Sequence, residues 1–99
     1  MTDEILDYEN GLAVLEELHE TQRVVLDIFA RLYCYLAGEK SSDDPIFKTL
    51  HHLMGYFKKE FMMKFSILDI TYRKKLELIS VSNYCITKLD EIRYSLRTN

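Results

Sequence analysis

Along the first third of the chain, apolar side chains recur at alternating steps of three and four residues: Ile5, Tyr8, Leu12, Leu15, Leu26, Phe29, Tyr33 and Leu36. His19 and Gln22 fill the same register in the middle. That period belongs to one face of an α-helix. A polar stripe of Asp3, Asp7, Asn10, Glu17, Glu20, Asp27 and Arg31 runs opposite. The pattern predicts one long helix over residues 3–37, opened by Thr2 or Asp3 as a capping side chain and closed by Gly38 in a left-handed cap. Gly11 is its interior weak point, costing about 1 kcal/mol relative to alanine, and suits a kink or a close backbone approach. Glu20, Arg23, Asp27 and Arg31 stand three or four apart, the spacing of weak helix-stabilising ion pairs.

Residues 38–44 read as a loop. Asp44 before Pro45 is a strong start signal, because the carboxylate accepts from the free first-turn amides and the proline has no amide to lose there. A second helix over residues 45–64 carries Phe47, Leu50, Met54, Phe57 and Phe61 on one face. No Gly or Pro occurs from Tyr56 to Asn99, so periodicity alone permits one helix through residue 97. Ser66 and Asp69, spaced like a capping box, and the β-branched Ile67, Ile70 and Thr71 favour a break between Lys64 and Asp69. A third helix over residues 67–97 then shows two stripes: Leu68, Tyr72, Leu76, Ile79, Ile86 and Leu89, and Ile67, Ile70, Leu78, Val81, Cys85 and Ile92.

The expected fold is all-α: one domain over residues 1–99, a three-helix up-down-up bundle with a long first helix. At ~1.5 Å per residue that helix reaches about 50 Å and the second about 30 Å, so the second leaves apolar surface on its longer neighbours uncovered. A homodimer is the simplest cover, because a two-fold interface needs only one self-complementary patch. A monomer with shorter or bent helices is the alternative.

Ninety-nine residues, 47% hydrophobic with three Gly and one Pro, suffice for a core but hold few of the turn residues that β-sandwiches and barrels need. Asp27 and Arg31 interrupt the longest apolar run, which excludes a membrane span there. The acidic start is unlike a signal or transit peptide. Cys34 and Cys85, without close-spaced Cys or His partners, read as reduced, semi-buried thiols of a cytoplasmic protein. The net charge of −3 divides into −7 over residues 1–54 and +4 over residues 55–99. Compensation between an acidic first helix and basic later ones explains this, and a basic surface for an anionic partner is the other reading.

Chemistry is sparse. Glu16 and His19 make the Glu-x-x-His that di-iron bundles use twice, but His51 and His52 have no carboxylate three or four residues before them. No metal and no cofactor are expected. His19 and Gln22 read instead as a polar layer that fixes register or oligomer state, paired with Ser82 or Asn83 or with their own copies. Adjacent on a helix, His51 and His52 point about 100° apart, one to solvent and one to an interface.

Residues 57–65 mix aromatics, methionines and lysines. Phe57 and Phe61 suit the core, yet Phe57, Phe61, Met62, Met63 and Phe65 cannot all face inward, and the excess suits a protein partner. Leu76 to Leu89 resembles the centre of a helix-turn-helix, with Ser82 capping a recognition helix and Thr87, Lys88 and Arg93 placed for DNA. Ser80 stands where that motif has glycine, and an unbroken helix explains the same residues.

The sequence therefore points to a non-enzymatic protein-interaction module: a small regulator, inhibitor, adaptor or chaperone-like protein of the size bacteria and phages encode. Its expected contacts are the acidic Glu17, Glu20 and Asp27 and the aromatics of residues 57–65. The competing class is a small DNA-binding regulator, and no membrane partner is expected.

Overall fold

The computed structural model describes residues 5–39, 43–62 and 70–98, with the side chains of Met62 and Thr98 excepted. It is all-helical: α1 over Tyr8–Glu39, α2 over Pro45–Phe57 continuing as a π-helical stretch over Lys58–Met62, and α3 over Tyr72–Thr98. The molecule measures 48 × 20 × 19 Å. Its long dimension matches the ~48 Å rise of a 32-residue helix.

The first helix begins later than its periodicity suggests. Asp7 is the cap: its carboxylate accepts from the Asn10 backbone N–H at 2.9 Å and from the Asn10 side-chain amide at 3.0 Å. Ile5 and Leu6, just before it, are not helical. Ile5 forms an antiparallel bridge with Thr71, and the Leu6 N–H donates to the Ile70 carbonyl at 3.0 Å. A contact with a distant segment thus overrides the helical register of Ile5. The expected caps Thr2 and Asp3 lie outside the described residues.

At the other end, Gly38 is not a left-handed cap. No described glycine has a positive φ, and the helix runs through Gly38 to Glu39. The next start signal is six residues away, which leaves the helix room to continue. Asp44 caps α2 as its sequence implies, in an extended conformation and accepting from the Ile46 N–H at 2.9 Å, with Pro45 opening the helix.

Residues 45–97 are not one helix. Thr71 is bridged to Ile5, its Oγ1 accepts from the Lys74 N–H at 3.0 Å, and α3 starts at Tyr72 rather than near residue 67. The Ser66–Asp69 capping box lies outside the described residues.

The buried face of α1 is Gly11, Val14, Leu18, Val25, Phe29, Leu32 and Leu36. It is offset by one position from the expected seam through most of the helix and meets it at Phe29 and Leu36. Ile5, Tyr8, Leu12 and Tyr33 are exposed instead. Against this face pack Phe47, Leu50, Leu53, Phe57 and Phe61, with Met54 at the margin, then Ile70, Leu78, Cys85 and Ile92 from the second of the two expected stripes, and Leu89 from the first. The Phe57 ring sits 6.0 Å from Phe29 and stacks on Phe61 at 4.9 Å. Full burial of each such ring is worth roughly 2–3 kcal/mol.

Gly11 has a specific use. A Cβ there would stand 3.1 Å from Ile70 Cγ2, so glycine allows the segment entering α3 to lie against the backbone of α1. Contacts that join α1 to α3 include this one and the Glu17–Lys75 ion pair at 3.1 Å. The ring contacts from α1 to α2 are made by Phe29 and Tyr33.

Candidate functional site

The charged residues expected to meet a partner are each held by a cation of the same chain. Glu17 is paired with Lys75, Glu20 with Arg23 at 2.7 Å, and Asp27 with Arg31 at 3.0 Å. The Arg23 guanidinium donates to both oxygens of Glu20 and holds its carboxyl below the ordinary value, while Glu20 raises that of Arg23. Further along, Arg73 lies 3.7 Å from Glu77, Lys88 3.6 Å from Glu91 and Arg93 3.4 Å from Asp90. Within one chain, Glu20 and Asp27 are thus neutralised along their own helix and Glu17 by reaching across to α3.

Phe57 and Phe61 are fully buried in the core. They hold α2 in place and present no surface, which corrects their assignment as partner anchors. The side chain of Met62, and Met63 and Phe65 altogether, lie outside the described residues.

His19 is exposed on α1 and Gln22 half-buried; with Arg23 and Leu26 they line a shallow depression of about 290 Å³. Neither lies in the core of the chain. The buried polar position there is Ser82, whose Oγ donates to the Leu78 carbonyl at 3.1 Å, while Asn83 is exposed. The intrachain pairing of His19 and Gln22 with Ser82 is therefore replaced by a bond within α3, because the buried face of α1 is rotated by one residue.

The helix-turn-helix is not formed. Residues 76–89 lie within the continuous α3, and Ser82 bonds back to its preceding turn instead of capping a new helix. Ser80 has no reason to break the chain where glycine is lacking. Thr87 and Arg93 are exposed and Lys88 half-buried on this one helix.

The structure assembles a different site, which the sequence does not announce. Thr49, His52, Leu53 and Tyr56 of α2 face Tyr84 and Lys88 of α3 across a groove of about 500 Å³. Tyr56 and Tyr84 meet edge to face, with centroids 5.5 Å apart, and stay 40% and 49% exposed. Lys88 Nζ lies over the Tyr84 ring at 5.7 Å. Leu53 is the buried floor, and Thr49 donates its hydroxyl to Pro45 O at 2.9 Å. The groove forms because α2 places residues 49, 52, 53 and 56 one helical turn apart on the side opposite α1.

A second groove of about 420 Å³ runs between α1 and α2, lined by Leu26, Phe29, Ala30, Tyr33, Cys34, His51, Met54 and Lys58. His51 stacks on Phe47 at 5.5 Å and meets the edge of Tyr33 at 5.6 Å. The adjacent histidines thus serve opposite sides of α2, His51 toward α1 and His52 toward α3. Cys34 is exposed rather than semi-buried, and Cys85 is fully buried; burial pushes the Cys85 thiol up to about 11. Both are free.

Among the described residues, no helix is long and apolar enough to cross a membrane, and no three His, Cys, Asp or Glu side chains converge as metal ligands would. Glu16 and His19 are both exposed on α1. No protein-family model, no curated protein and no solved structure matches this chain.

Proposed function

We propose that this chain is a non-catalytic protein-interaction module, a three-helix up-down-up bundle that receives a partner protein in the tyrosine-lined groove between α2 and α3. The observation that carries this reading is the pair of half-exposed tyrosines, Tyr56 and Tyr84, standing edge to face beside Lys88 over an apolar floor. Tyrosine supplies large contact area at small entropic cost and keeps its hydroxyl for a hydrogen bond, which is why it dominates binding hot spots.

The up-down-up order rests on contacts at both ends. Ile5 and Gly11 near the start of α1 meet Thr71 and Ile70 at the start of α3, whereas Tyr33 late in α1 meets Phe47 early in α2. The two free cysteines fit a reducing, cytoplasmic setting.

The same reading includes a homodimer. The ring contacts of α2 fall on the later half of α1, and at the opposite end Ile5, Tyr8, Leu12, Tyr72 and Leu76 are exposed, Tyr8 by 72%. Apolar side chains gathered at one end of an elongated bundle suit burial against a second copy. In light scattering, the wild type should have twice the chain mass, and Tyr8→Lys with Leu76→Lys should have one; a wild-type monomer at micromolar concentration removes the dimer.

The partner groove is tested by capture from the source cell with the wild type and with Tyr56→Ala/Tyr84→Ala, both verified as helical by circular dichroism. A protein retained by the wild type and lost by the variant is the expected result. Identical capture by the two would mean that the groove is not the site.

A further inference from the structure

The groove between α2 and α3 also carries a charge pattern that names the chemistry of its occupant; this rests on the protein-binding reading above. Of its described lining residues none is acidic, while His52 and Lys88 supply nitrogen donors from opposite walls. Along α2 the same side continues back to Lys48, one turn before His52, and Lys59 follows Tyr56 by three residues in the π-helical continuation. Both lysines are exposed and carry no ion pair among the described residues. On the α3 side, the acids Glu77 and Glu91 are already engaged by Arg73 and Lys88. Lys88 is held only loosely, 3.6 Å from a Glu91 carboxylate that is 60% exposed, so an incoming carboxylate can replace Glu91. The groove is thus an apolar, aromatic trough flanked by Lys48, Lys59 and Lys88, and the acids near it, Glu60, Glu77 and Glu91, each already have an interaction, in a chain whose net charge is −3.

We infer that the occupant is a short acidic segment of a partner protein in which carboxylates flank one or two large apolar side chains. The apolar side chains would rest on Leu53 between Tyr56 and Tyr84. The carboxylates would meet Lys48 and Lys59 along one wall and Lys88 and His52 across the trough. The spread of the positive groups favours a chain over a compact anion. Lys48 to Lys59 spans eleven residues of helix, about 16 Å, which an extended peptide covers with roughly five residues.

The test titrates two six-residue peptides, Ac-EELFEE-NH2 and Ac-KKLFKK-NH2, and separately inorganic phosphate, into the 15N-labelled full chain. The amide and ring resonances of Leu53, Tyr56, Tyr84 and Lys88 are followed. The acidic peptide should shift them saturably, and raising the salt from 50 to 500 mM should weaken it about tenfold, as screened charge pairs require. Lys59→Glu/Lys88→Glu should lose binding about tenfold or more while keeping its helicity, and Tyr84→Ala should weaken it at any salt. The inference fails if the basic peptide shifts the same resonances equally, if phosphate alone reproduces the shifts, or if the acidic peptide shifts none of them. If that failure comes with partner capture that still depends on Tyr56 and Tyr84, the protein-binding reading stands and only the acidic class is wrong. If capture is independent of the tyrosines as well, both fall.

Discussion

Ser82→Ala separates the helix observed here from the turn its neighbourhood resembles, because the two give opposite signs. Were Ser82 a cap, its loss would cost about 1 kcal/mol. In the structure its hydroxyl is buried and donates to Leu78 O at 3.1 Å, a carbonyl that also receives the regular bond of an uninterrupted helix. Removing the hydroxyl therefore orphans no acceptor. What is lost is a local bond that competes with the helix rather than building it. Alanine gains about 0.5 kcal/mol in helix propensity and ends the burial of a polar group, against a small void of one oxygen atom. The net expectation is a stabilisation of about 0.5 kcal/mol. With a urea m-value of ~1–1.5 kcal/mol/M for a chain of this size, the midpoint should rise by roughly 0.3–0.5 M at unchanged slope. Equilibrium unfolding followed by circular dichroism at 222 nm reads this directly. A midpoint lowered by about 1 M would refute the argument and restore a capping role.

Other substitutions test the remaining elements. Asp44→Ala removes the acceptor of the Ile46 N–H and should cost about 1 kcal/mol, a drop of roughly 4–8 °C in thermal midpoint, whereas Asp44→Asn should keep most of it. Gly38→Ala and Gly55→Ala enter open space within helices and should each stabilise by about 0.5–1 kcal/mol, but Gly11→Ala meets Ile70 Cγ2 at 3.1 Å and should come out about 1 kcal/mol or more worse than either. Equal effects at all three positions in urea unfolding would count against the close approach. At pH 8 a thiol reagent should label Cys34 alone in the native chain, because the folded Cys85 thiol, raised to about 11, is roughly 0.1% thiolate as well as buried. Since the folded chain keeps the Cys85 proton that the unfolded chain releases from its ordinary value of 9.0, stability should fall as pH rises from 9 toward 11, and Cys85→Ala should flatten that decline.

The helical class and the start of α2 were legible because their causes are local. Few turn residues, a three-four period and an Asp-Pro pair act within a few positions of themselves. The start of α1 was not, because Asp3 and Asp7 are equally good caps on paper. The choice between them is made by Ile5 and Leu6 pairing with residues 70 and 71, some 65 positions away. The seam of α1 was misplaced for a related reason. Two stripes share the same period, and what selects the one through Val14, Leu18 and Val25 is the approach of Ile70 to Gly11 and the packing of α2. A clue was present: the stripe not chosen holds Tyr8 and Tyr33, whose hydroxyls favour an edge position, while the chosen one carries no side chain with a polar group.

The candidate groove was harder to read, since its members come from residues 49 to 56 and from 84 and 88 and share no spacing. The sequence does hold its ingredients: a His52 turned away from His51, exposed lysines on α2 and its π-helical continuation, and tyrosines that a core would not prefer. Charge misled most. Counted along the chain, the acidic excess of the first half is the prominent feature, and it invites a basic partner. In space Glu17, Glu20 and Asp27 each spend their charge on Lys75, Arg23 and Arg31, so their outward field is weak and screened beyond about 10 Å. Lys48 and Lys59 have no such partner among the described residues. A net-acidic chain can therefore present a positive face where it binds, because the charge that acts on a ligand is the charge left over after neighbouring side chains have paired.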